Sequence, residues 1–136
     1  MKSTLQQWYY SFDSIMPNKK ILMVDDSLIM RQIFKRILAD QGFTIVEADK
    51  GELGVEKYKL ESPDISFLDI NLPDISGIEV TKRIMALNPN AQIIILSGTW
   101  TEKNYKNVLE AGAKRFLLKP PNLPEILSAI QALEIQ

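Results

Sequence analysis

The sequence predicts an α/β fold in which five strand–helix units, (βα)5, form a doubly wound, parallel, five-stranded sheet. Three observations lead there. Short apolar runs rich in β-branched and aromatic residues recur five times from residue 20 onward. Longer segments of helical period separate them. A strand, helix, parallel strand connection is right-handed in nearly all proteins, so a string of such units gives an open sheet with helices on both faces. The chain's 136 residues, 46% of them hydrophobic, suffice for one domain with a real core.

The apolar runs lie at residues 21–24, 44–46, 65–68, 93–96 and 116–118. Each is too short for a core helix and apolar on both faces, the pattern of strands buried in a parallel sheet. Between the first two, Ile29, Ile33 and Ile37 recur every four residues beside Met30, Phe34 and Leu38, with Arg31, Lys35 and Arg36 on the other side. This predicts an amphipathic helix that ends near Gly42. A second helix is expected over 52–60 and stops at Ser62-Pro63, because the residue before a proline is pushed out of helical conformation. A third runs from about 78 to 87 and stops before Asn88-Pro89. The fourth spans roughly 102–111 and closes on Gly112. The fifth follows Pro124 and places Ile126, Leu127, Ile130 and Leu133 on one face.

The composition excludes several chemistries. With no cysteine and no histidine, thiol nucleophiles, thiolate metal sites, Ser-His-Asp triads and imidazole proton shuttles are ruled out. Any reaction has to run on carboxylates, hydroxyls, amines and bound metal. Sixteen Lys and Arg against 17 Asp and Glu leave a net charge of −1, so neither nucleic acid nor an anionic membrane is expected as a partner. The first twenty residues hold no unbroken apolar stretch, and no later run approaches the ~20 apolar residues of a membrane span. That predicts no membrane insertion and a cytoplasmic protein.

Ligands of such sheets sit beyond the carboxyl ends of the strands. The residues standing there are Asp25-Asp26-Ser27, Asp69, Ser97-Gly98 and Lys119-Pro120. Singly, each has an ordinary explanation: Asp26 or Ser27 as a helix cap, Asp69 in a turn, Ser97 bonded to its own backbone, Lys119 as a solvated cation. Jointly they put three carboxylates, a hydroxyl and an ammonium on one rim. Clustered carboxylates repel one another, and a hard divalent cation with oxygen ligands relieves the repulsion. Mg2+ is the natural candidate.

In this order and spacing, Val24-Asp25-Asp26-Ser27, Leu68-Asp69-Ile70-Asn71-Leu72-Pro73 with Gly77, Leu96-Ser97-Gly98 and Leu118-Lys119-Pro120 resemble the signature motifs of receiver domains of two-component response regulators. The resemblance covers residues 20–136 and implies a flavodoxin-like strand order, 2-1-3-4-5. It also implies roles. Asp69 is the expected phosphoacceptor, its carboxylate attacking a phosphoryl group and becoming an aspartyl phosphate. Asp26, Asp69 and the backbone carbonyl of Asn71 are expected to hold Mg2+, with Asp25 joining through water. Lys119 would pair with the phosphoryl oxygens, and Ser97 would donate a hydrogen bond to another of them. Gly98 would leave the phosphoryl group room to enter. In the loop after Asp69, Gly77 would supply backbone freedom and Pro73 would fix a turn.

The same resemblance makes Ser97 and Phe116 a switch pair: the hydroxyl moves toward the phosphoryl group and the aromatic ring turns into the space vacated. This would change the surface of the fourth helix, fifth strand and fifth helix, with Asn104, Lys106, Arg115 and Glu125 as exposed candidates for an effector protein to contact. The Lys119-Pro120 bond stands where the family typically has a cis peptide, and Pro121 departs from the aromatic often found next. The family takes its phosphoryl group from a phosphohistidine. A chain without histidine would therefore need a separate histidine kinase or histidine phosphotransfer protein, or a small phosphodonor.

Sixteen residues follow Pro120, room for one helix, which leads to the expectation of a single-domain regulator or relay shuttle acting through protein contacts, and not of a conventional enzyme. An aspartate-nucleophile phosphatase would carry a second acid two residues after the nucleophile, where this chain has Asn71. A phosphorylation-independent scaffold would have lost the acceptor or the lysine, and both are present. Residues 1–19 read as a separate aromatic, amphipathic extension: Leu5, Trp8, Tyr9, Phe12 and Ile15 fall at helical spacing, and four of the 11 aromatics lie within residues 8–12. A homodimer, a partner contact or docking on its own domain would each cover that stripe; a tail would leave it bare.

Overall fold

The computed structural model describes residues 19–135. Leu5, Trp8, Tyr9, Phe12 and Ile15, on which the helical reading of the 1–19 extension and its homodimer rest, lie outside that range. The described chain alternates strictly: β1 (Lys20–Val24), α1 (Leu28–Ala39), β2 (Thr44–Ala48), α2 (Gly51–Glu61), β3 (Ile65–Asp69), α3 (Gly77–Leu87), β4 (Ile93–Ser97), α4 (Glu102–Ala111), β5 (Arg115–Leu118) and α5 (Leu123–Ile135). The strands form one parallel sheet in the order β2-β1-β3-β4-β5, as the resemblance implies.

The sheet separates two apolar layers because successive strand residues point to opposite faces. Ile21, Met23, Phe67, Ile94 and Leu96 face α1 and α5, where Ile126, Leu127, Ile130 and Leu133 of α5 meet them. Leu22, Val24, Leu68, Ile93 and Ile95 face α2, α3 and α4 through Val55, Tyr58, Val80, Ile84 and Val108. Each fully buried aliphatic side chain stabilises the fold by roughly 2 kcal/mol. Burial on both faces holds for β1, β3 and β4. It fails for β2 and β5, which are only partly covered, because an edge strand has a neighbour on one side only.

The helix α1 also departs from expectation. Its buried row is Phe34 and Leu38 with half-buried Met30, while Ile29 and Ile33 are 70% and 42% exposed. Both rows are apolar, and the contact between the rings of Phe34 and Phe67, centroids 5.4 Å apart, selects the one that faces the sheet. The remaining boundaries follow local chemistry. Ser27, Ser76 and Thr101 cap α1, α3 and α4, each side chain accepting a backbone N–H. Gly112 closes α4 at φ 117°, a conformation that glycine adopts without strain. At the start of α5, Asn122 Oδ1 accepts Glu125 N at 2.9 Å and Glu125 Oε1 accepts Asn122 N at 3.2 Å, a reciprocal capping box. Among the described residues no helix is long and apolar enough to cross a membrane.

Candidate functional site: an acidic pocket at the strand ends

Four strands deliver side chains to one rim. Asp25 follows β1 and is fully buried, Asp69 ends β3 and is 5% exposed, and Asp26 stands in the open. Carboxylate oxygens of these three lie within 4.8 Å of one another, the one such group among the described residues. From beyond β5, Lys119 Nζ reaches Asp25 Oδ2 at 2.6 Å and Asp69 Oδ2 at 3.0 Å. The peptide between Lys119 and Pro120 is cis, and Pro121 is buried. Local bonds orient the acids: Asp25 Oδ1 accepts Ser27 N at 2.8 Å, and Asp69 Oδ1 accepts Asn71 N at 3.2 Å.

The electrostatics follow from burial and charge. Burial pushes the Asp69 carboxyl above its ordinary range, against the lowering effect of the Lys119 and Asn71 hydrogen bonds, and Asp25 adds repulsion. Burial also works against the Lys119 ammonium, but its bonds to Asp25 and Asp69 outweigh that and raise its pKa, so it stays charged. Three carboxylates and one ammonium leave two negative charges. An all-oxygen donor set with that deficit fits a hard divalent cation such as Mg2+.

Other expected residues are placed with differences. Ser97 ends β4, but its hydroxyl is occupied by the next turn, donating to Thr99 O at 2.8 Å and accepting Thr99 N at 3.3 Å. A Cβ on Gly98 would meet nothing within 4 Å, so the space beside the pocket is open there. Phe116 is half-buried and meets Tyr105 edge-on at 6.1 Å, and Tyr105 in turn lies 6.2 Å from Trp100. Of the surface candidates, Lys106 and Glu125 are exposed, whereas Asn104 and Arg115 are half-buried.

Gly77 has a different role from the one expected. It is the first residue of α3, and a Cβ there would overlap Asp69 O and stand 2.9 Å from Ile70 Cα. The missing side chain lets α3 approach the strand end that carries Asp69, and Gly77 N donates to Ile70 O at 2.9 Å. Two residues escaped the sequence reading. Asp74, in the loop after Asp69, caps α2 from outside, accepting Gly51 N at 2.8 Å and Glu52 N at 2.9 Å. Arg31 faces inward from α1 and donates to the Asp25 carbonyl.

Comparisons with known proteins agree with this fold. The family model described as the response regulator receiver domain matches residues 21–131. The chemotaxis protein CheY of Thermotoga maritima is 38% identical over 82% of this chain and 94% of its own length. That of Bacillus subtilis is 40% identical over 82% and 93%. Among solved structures, the CheX-CheY-BeF3-Mg+2 complex from Borrelia burgdorferi matches with a TM-score of 0.84 at 32% identity, covering 88% of this chain and 92% of that one. A CheY-like receiver domain protein from Methanospirillum hungatei gives 0.83 at 30% identity, covering 87% and 95%. With its strand order, its acidic strand ends and its lysine all in register, the chain belongs to the response regulator receiver domain family.

Proposed function

We propose that this receiver takes a phosphoryl group onto Asp69 from a partner histidine kinase or histidine phosphotransfer protein and signals by changing its protein-binding surface. The observation that carries the reading is the convergence of Asp25, Asp26, Asp69 and Lys119 on one rim. An Asp69 carboxylate oxygen attacks phosphorus in line, the P–N bond to the donor imidazole breaks, and its electron pair leaves with the imidazole. Lys119 neutralises charge on the phosphoryl oxygens, and the open space at Gly98 admits the group. Asp26, Asp69 and the Asn71 carbonyl would hold Mg2+, with Asp25 joining through water. When bound, the cation supplies charge neutralisation for the transferring group.

For the output, Ser97 leaves Thr99 for the phosphoryl group, and Phe116 turns inward, changing the face made by α4, β5 and α5. An effector protein reads that face. The strongest support for a chemotaxis-type role is the near full-length match to CheY proteins. Acetyl phosphate with Mg2+ should label the chain once, at a site cleaved by alkali and hydroxylamine, and Asp69→Asn should abolish the label. Persistent labelling of that variant would move the acceptor elsewhere, and steady turnover of phosphate esters would favour a phosphatase instead.

A further inference from the structure

We propose that Arg31, held by Glu47, is a positioning residue that sets the affinity of the acidic pocket for a divalent cation. The proposal rests on the reading of that pocket as a cation site. Arg31 is the fourth residue of α1, and its Nη1 donates to the Asp25 carbonyl at 2.6 Å. That carbonyl belongs to the peptide joining Asp25 to Asp26, the two acids of β1's end. A strong bond to it fixes the peptide plane, and the plane fixes the directions in which both carboxylates leave the chain.

Glu47 of β2 holds the guanidinium from the other side, Oε1 accepting Arg31 Nε at 3.3 Å, while Lys35 Nζ reaches Oε2 at 3.3 Å. The strap thus ties α1, the end of β1 and β2 together. The Arg31 side chain is 13% exposed, the most enclosed cation among the ion pairs of the described residues. A helix-surface arginine has no reason to be so enclosed unless its fork is used. Its charge is also a difficulty for a neighbouring cation site, because an uncompensated guanidinium repels a divalent ion. Glu47 offsets part of that charge, although it shares its carboxylate with Lys35, so Arg31 orients the acids at a reduced electrostatic cost to the ion they hold.

The test uses the full chain, Mn2+ as an EPR-visible probe displaced by Mg2+, and the variants Arg31→Gln, Arg31→Lys and Glu47→Gln. Arg31→Gln should weaken Mn2+ binding by about 10-fold or more, the usual effect of losing a partner that orients metal ligands. Arg31→Lys keeps the charge but cannot serve two acceptors as a rigid fork, so it should lose most of the same affinity. Glu47→Gln should lose less, about 3-fold, and the loss should shrink as salt rises, because it leaves an unbalanced charge. The cation concentration for half-maximal acetyl phosphate labelling should rise more than the maximal rate falls.

Asn88→Ala removes a 3.0 Å bond to Tyr58 at the opposite end of the sheet and controls for stability; it should leave Mn2+ binding unchanged. If Arg31→Gln does not fold, Arg31→Lys and Glu47→Gln decide the matter. Folded variants that bind Mn2+ like the wild type overturn the proposal while leaving the cation site intact. A wild-type chain that binds no Mn2+ at millimolar concentration overturns the cation site itself.

Discussion

Asp69 is held in a state the fold resists. The folded chain binds its proton more tightly than the unfolded chain does, because burial opposes the charge. Stability from this group is therefore greatest in acid and falls as pH rises from the ordinary 3.8 through the raised folded value. At neutral pH the whole penalty is present. Asp69→Asn keeps the shape and removes the charge, and Lys119 retains Asp25 at 2.6 Å as partner. The variant should melt above the wild type at pH 7, and the advantage should vanish below pH 3.8. An unchanged or lower melting temperature at pH 7 would mean that the Lys119 contact outweighs burial. Lys119 behaves in the opposite sense in alkali: its contribution is present below 10.5 and is lost as pH rises through its raised folded value. With Asp69 as the proposed acceptor, activation and stability would compete at one carboxylate.

At the level of elements, the loop between β3 and α3 joins the site to two helices. Gly77→Ala would ordinarily favour a helix, yet here the added methyl meets backbone of Asp69 and Ile70 that cannot swing aside. It should cost about 1–3 kcal/mol by overpacking and slow labelling of Asp69, both readable by melting and by acetyl phosphate uptake. Asp74 tests the other connection. Slight desolvation works against its charge, but backbone N–H groups of Glu52 and Gly51 hold its carboxyl down to about 2. Its capping of α2 is complete above the ordinary 3.8 and is lost as pH falls toward 2. Asp74→Ala should cost about 1 kcal/mol at pH 7, a cap's usual worth, because solvent screens the exposed carboxylate. That difference should close in acid. Neither role was legible beforehand, since Gly and Asp in a loop read equally well as turn punctuation, and only the packed helix reveals what they touch. Arg31 was hidden for a related reason: beside Lys35 and Arg36 it looks like part of a solvated helix face.

At the scale of the whole molecule, the legible features were those repeated in register. Five apolar runs and the acidic, hydroxylic and basic residues after them define the sheet and its rim, because a parallel sheet sends every strand end to one side. Which face of α1 is buried, and how far edge strands are covered, depend on contacts between distant segments and were not legible. The contacts through which the proposed coupling of the rim to the α4–β5 surface would run belong to that class as well. Ser97 is held by Thr99, and Trp100, next in the chain, begins a row of rings through Tyr105 to Phe116, spaced 6.2 and 6.1 Å. In the proposed switch, movement of Ser97 would pull on one end of this row, while Phe116 occupies the other. Beryllofluoride with Mg2+ mimics the phosphoryl group and should shift the amide signals of Ser97, Thr99 and Phe116 with one titration midpoint. The indole N–H of Trp100, made unique by Trp8→Phe, should shift with them, and its fluorescence should change in parallel. In Asp69→Asn none of these signals should respond. A shift at Ser97 with Phe116 and Trp100 unmoved would show that the pocket fills without the surface changing, and the coupling described would be wrong.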